Sequence, residues 1–110
     1  MQFPDDQVAE LTQLFPGATP ATEGGVQFFL IPKLRLPDRC TPGQIDALFC
    51  PTQRDGYPSR LFVAEQVQPC RAGWATARIL ERNWHAASWR TREGQRLAQM
   101  VLSHLDAFRS

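Results

Sequence analysis

From Ile45 to Val63 two apolar runs flank a polar corner. Ile45, Ala47 and Phe49 alternate with Asp46, Leu48 and Cys50, the period of two that sends a strand's side chains to opposite faces. Only the first set is uniformly apolar, so one strongly buried face is expected. Leu61, Phe62 and Val63 form a second, short run that is apolar at every position, the pattern of a strand covered on both sides. Between them, Pro51, Asp55, Gly56 and Pro58 each interrupt a strand or shape a turn. The link is too long for a tight hairpin and reads as a corner.

The flanks supply the other elements. Pro4 to Leu14 reads as a helix: Pro4 suits its first turn, Asp5 and Asp6 suit the positive end of its dipole, and Val8, Leu11, Leu14 and Phe15 recur at helical spacing. Pro16-Gly17 ends it. Gly24-Gly25 marks a hairpin before Val26-Gln27-Phe28-Phe29-Leu30-Ile31, the most strand-like hexapeptide of the chain. Pro32 and Pro37 bracket Lys33-Leu34-Arg35-Leu36, which predicts at most an irregular edge continuation. Ala64 to Gln68 is compatible with an extension of the fourth strand, and Pro69 to Gly73 with a loop. Trp74 to Trp89 carries helical spacing through Ala77, Ile79, Leu80 and Trp84, without clear boundaries. Thr91 to Arg109 reads as the last helix, capped by Thr91 and striped by Leu97, Met100, Val101, Leu105 and Phe108. His104 falls on that stripe, where a structural role is expected. The sum is an α+β domain: N-terminal helix, four-stranded antiparallel meander, irregular stretch, C-terminal helix.

Length makes residues 1–110 one domain able to fold without a metal or disulfide framework. No apolar run approaches the ~18 residues of a membrane span, and Met1-Gln2-Phe3-Pro4-Asp5-Asp6 has neither a basic start nor an apolar middle, so the expected location is the cytoplasm. Residues 1–55 hold seven acids and four bases, residues 56–110 four acids and eight bases. Trp74, Trp84 and Trp89 lie among those later arginines, but a net charge of +1 argues against a nucleic-acid face. Lys33 is the only lysine.

Cys40, Cys50 and Cys70 are an odd set without paired spacing, which predicts free thiols and neither disulfides nor a zinc site. No phosphate-binding glycine motif or nucleophile elbow is present, and a triad of Asp46, Ser88 and His104 has no motif to support it. No cofactor is expected.

The Gly56-Tyr57-Pro58 corner resembles the tyrosine-proline corner of the ubiquitin-conjugating-enzyme (UBC) fold. Asn83-Trp84-His85-Ala86-Ala87-Ser88-Trp89 is similar to the segment rich in Trp, Ser and His found in the prokaryotic ubiquitin-conjugating-enzyme-like families. The resemblance spans about residues 5–108. It implies a UBC-like fold in which Tyr57 and Pro58 are structural, and a bacterial transferase that accepts a ubiquitin-like protein from an activating enzyme as a cysteine thioester and passes it on. Its partners would be that modifier and that activating enzyme, the latter docking near Pro4–Leu14. By the family's order of elements the catalytic residue would be Cys70, in the loop after the fourth strand. Cys50 ends a strand beside Pro51, where a thiol packs inward, and Cys40 precedes the third strand, on the wrong side of the meander.

A thiol of ordinary acidity is only a few per cent thiolate at neutral pH, so a guanidinium such as Arg71 or Arg78 would favour the anion. The His-Pro-Asn tripeptide of the family is absent. Oxyanion donors would therefore come from loop N–H groups or from Asn83, His85 or Ser88. A second reading stays open: a catalytically inactive domain of the same fold that binds a modifier or scaffolds a partner from the same operon.

Overall fold

The computed structural model describes residues 3–109. α1 (Asp5–Leu14) follows Pro4, with Asp5 and Asp6 in its first turn and Leu11 fully buried. The chain then forms β1 (Thr19–Glu23) and β2 (Val26–Arg35), an antiparallel pair closed by Gly24 and Gly25 at φ 58° and 77°. Such a turn needs two left-handed residues, which glycine adopts without a steric penalty. β3 (Gln44–Cys50) and β4 (Arg60–Val63) continue the sheet.

Beyond β4 the structure overturns the expected architecture. Trp74 to Trp89 is not irregular or helical: it contains β5 (Trp74–Ile79) and β6 (Arg82–Ala87). The four-stranded meander with a UBC-like helical remainder is replaced by a six-stranded antiparallel sheet in the order β1-β2-β3-β4-β6-β5, with a helix at each end of the chain. The class remains α+β. Because β6 pairs with β4, and β5 with β6, residues 64–73 must carry the chain from β4 across β6 to the outer strand. Ala64 to Gln68 therefore leaves the sheet, with Val67 buried under that crossing.

The last helix is shorter than its pattern predicts. α2 spans Leu97–Leu105 and runs into a 3-10 turn at Asp106–Phe108. Thr91 does not cap it: Arg96 is the cap residue, Gln99 accepts from the Arg96 N–H, and Gln7 of α1 accepts from the Leu97 N–H at 3.2 Å. Glu10 and Asp6 hold the Arg96 guanidinium at 3.0 and 2.9 Å. α1 thus supplies partners that the start of α2 lacks locally.

Both sheet faces are buried. Leu11, Leu97, Val101, Leu105 and Phe108 cover Phe29, Ile31, Ala47, Phe49, Leu61 and Val63. On the opposite face Phe28, Leu48, Cys50, Phe62, Ile79 and Trp84 form a second cluster, so β3 has two apolar faces. Among the described residues no helix packs on that face. It closes because the sheet curls, with the Glu23 carboxylate at the end of β1 accepting the Leu80 N–H of the β5–β6 turn at 2.8 Å.

β2 is an interior strand with an irregularity, not an edge. Its register with β3 shifts between Ile31 and Leu34, and the Lys33 N–H there donates to the Asp46 carboxylate at 3.1 Å.

Candidate functional site

Cys70 lies on the segment that crosses β6. Alternation along β6 sends Trp84 and Ala86 into the helix-free cluster, and so turns His85 and Ala87 towards the helices. Cys70 and Ala72 pack against that same helix-side core. The thiol and the imidazole therefore share one face of the sheet. Trp74 lies on this face too, edge-on to His85 with ring centroids 6.5 Å apart and stacked on Phe108 at 5.9 Å.

Three anchors hold the crossing segment. Thr41 and Gln68 exchange backbone bonds of 2.8 and 3.1 Å, the Arg71 N–H donates to the Ala107 carbonyl at 2.7 Å, and the Ser88 N–H donates to the Gly73 carbonyl at 2.8 Å. Cys70 is half-buried and its Sγ–H donates to the Ala72 carbonyl at 3.3 Å. Among the described residues the buried His85 Nδ1 has no hydrogen-bond partner, which makes it a nitrogen with unused bonding capacity.

Of the supporting residues named from sequence, Arg71 and Ser88 fall at the Cys70 end of the β5–β6 hairpin. Arg71 is exposed, with its guanidinium 5.3 Å from the Trp89 ring. Ser88 is exposed beside Gly73. Asn83 is at the other end of the hairpin: it pairs opposite Arg78 and accepts from that guanidinium at 3.1 Å. Arg78 also donates to the Glu81 carbonyl at 3.2 Å. Hairpin pairing thus commits both residues to the turn.

Cys40 was misplaced by sequence order. Thr41 pairs with Gln68, which brings Cys40 to the same C-terminal turn as the Cys70 loop, and its thiol donates to the Phe108 carbonyl at 3.4 Å. Burial pushes the Cys40 thiol pKa up, Arg109 opposes that and Asp38 adds to it, so Cys40 is disfavoured as a thiolate. Cys50 is buried, its thiol 3.5 Å from the Thr52 carbonyl. All three cysteines are free thiols. Among the described residues no group of three His, Cys, Asp or Glu side chains is placed to hold a metal.

The Tyr57–Pro58 corner closes the helix-free face. Tyr57 lies between two guanidinium groups, Arg60 at 4.3 Å and Arg90 at 5.1 Å from its ring centre. Arg54 sits 5.8 Å from the Phe28 ring and 5.7 Å from the Phe62 ring. Asp55 accepts from Arg60 at 3.2 Å. These residues act together as a polar lid on an aromatic cluster.

No family model, curated protein or solved structure matches the chain.

Proposed function

We propose that the chain carries a ubiquitin-like modifier as a thioester on Cys70. Cys70 Sγ attacks the acyl carbon at the modifier's C-terminus, held as a thioester by an activating enzyme. The new S–C bond forms as the old one breaks, and the departing thiolate takes a proton. The observation that carries this reading is that Cys70 on the crossing segment and His85 on β6 lie on the same, helix-bearing side of the sheet, where His85 Nδ1 is left without a partner among the described residues. The local resemblance at Tyr57-Pro58 and Asn83–Trp89 suggests this chemistry, although the UBC-like architecture it also implied is not the one found. Backbone N–H groups, Ser88 and His85 remain as oxyanion donors, whereas Asn83 is removed from that role by its place at the turn end of the hairpin, away from the Cys70 end.

That loss of Asn83 also favours the second reading, a non-catalytic domain that binds the modifier. The deciding experiment incubates the protein with a modifier, its activating enzyme and ATP. A reductant-sensitive adduct is expected for the wild type, Cys40→Ala and Cys50→Ala. Cys70→Ala should form none, and Cys70→Ser either none or a reductant-stable, hydroxide-labile ester. Normal charging of Cys70→Ala overturns the carrier reading, and binding without any adduct supports the non-catalytic one.

A further inference from the structure

We propose that the outer edge of β5 takes up the extended C-terminal tail of the modifier as a seventh, antiparallel strand whose end reaches the Cys70 loop. The identity of the tail rests on the carrier function proposed above; the vacancy of the edge does not. β5 and β6 are joined by the two residues Leu80 and Glu81, with Ile79 opposite Arg82. A two-residue hairpin makes its closing pair a hydrogen-bonded one, and such pairs alternate along an antiparallel ladder. Ile79, Ala77 and Ala75 therefore bond inward to β6. The Gly73 carbonyl, which accepts from the Ser88 N–H at 2.8 Å, continues the same alternation. The backbone N–H and C=O groups of Trp74, Thr76 and Arg78 are left facing outward, and no strand pairs with them among the described residues.

A bare edge of this kind is a template for another strand, and sheets usually protect it with proline, lysine, a bulge or extreme shortness. β1, the opposite edge, carries Pro20 within its five residues. β5 has no proline, lysine or bulge, and its one charged side chain, Arg78, lies near the turn: Trp-Ala-Thr-Ala-Arg-Ile is regular over six residues, about 20 Å of strand. Ala75 and Thr76 are exposed, and their small side chains leave room beside the backbone. Direction selects the occupant. An antiparallel strand pairs first with Arg78 and last with Trp74, and Cys70 lies four residues before Trp74. Its C-terminal carbonyl is thus delivered towards the thiol. Arg78 is engaged by the turn, and the exposed cation at the delivery end of this path, Arg71, suits a tail with a carboxylate side chain or a free carboxyl end.

The test uses Cys70→Ala protein, which cannot charge, and a random library of octapeptides with free carboxyl ends. Enriched peptides should shift the amide resonances of Trp74, Thr76 and Arg78 and slow their hydrogen exchange. Thr76→Pro removes an outward N–H and no ladder bond, so it should keep the melting temperature and weaken peptide binding at least tenfold. No enrichment, equal binding to Thr76→Pro, or protection confined to other strands overturns the proposal. So does a concentration-dependent dimer abolished by Thr76→Pro, because a second copy would then own the edge. Charging at Cys70 without edge binding sinks this inference alone. Edge binding in a protein that never charges sinks the carrier reading and the tail's identity with it.

Discussion

Ser59 Oγ and His104 Nε2 are 2.9 Å apart, joining the residue before β4 to the last turn of α2, and Thr91 Oγ1 stands 3.2 Å from the same hydroxyl. All three side chains are buried. This chain of polar groups fixes α2 against the sheet at a point where apolar packing alone would allow sliding. It also gives Thr91 a role other than helix cap, since α2 begins only at Leu97.

Burial, reinforced by the nearby Arg60 charge, lowers the His104 pKa from 6.5 to about 4. The folded ring is then neutral where the unfolded ring is protonated, so the unfolded state binds more protons between pH 6.5 and 4. The stability from this group is complete above pH 6.5 and is lost as pH falls towards 4. Between pH 7 and pH 5 the loss should be on the order of 2 kcal/mol, read by urea denaturation at both values. His104→Gln should flatten that difference, and an equally steep pH dependence in the variant would refute the assignment.

Trp84 is 1 % exposed and its indole N–H donates to the Ile79 carbonyl at 3.0 Å. Trp84→Ala should destabilise by about 3–5 kcal/mol, as deep aromatic truncations do. Trp84→Phe should recover most of the packing while losing the indole's hydrogen bond to the Ile79 carbonyl. Calorimetric melting of both variants checks this. A small shift for the alanine variant would mean that the helix-free face is not closed.

Tyr57 is half-buried between Arg60 and Arg90, so its ring acts through its faces as much as through its area. Tyr57→Phe should be nearly neutral. Tyr57→Leu should lose roughly 1–2 kcal/mol, because it leaves the buried Arg60 guanidinium against an aliphatic chain. Equal midpoints in urea for the leucine and wild-type proteins would remove the stacking argument.

Gln7 spans the two helices, its side-chain carbonyl accepting the Leu97 N–H. Removing a helix-terminal acceptor typically costs about 1 kcal/mol, so Gln7→Ala should lower stability by about that much. Faster hydrogen exchange should appear first at Leu97. Gln7→Glu should retain the bond, because its carboxylate still accepts.

Local pattern alone determined α1, the Gly24-Gly25 hairpin, the β3–corner–β4 unit and the buried stripe of α2. In each, periodicity and turn residues act within a few positions, and tertiary contacts agree with them. The β5–β6 hairpin was hidden for a physical reason. Its turn is Leu80-Glu81, at φ 53° and 61°, and neither residue carries the glycine or asparagine signal of a left-handed turn. The alanines of β5 and β6 are weak strand formers as well. What makes this segment a hairpin is its lodging of β6 between β4 and β5, a hydrogen-bond ladder between residues far apart in sequence. The same long-range pairing decided the site. Chain order points to Cys70 and Arg71, but the side of the sheet that Cys70 shares with His85, the separation of Asn83, and the arrival of Cys40 beside the Phe108 turn all follow from the crossing segment and from the Thr41–Gln68 bridge. Side-chain type is written in the sequence. Which side chains meet is set by strand order, because closing a loop over β6 is stabilised only by contacts that no local window contains.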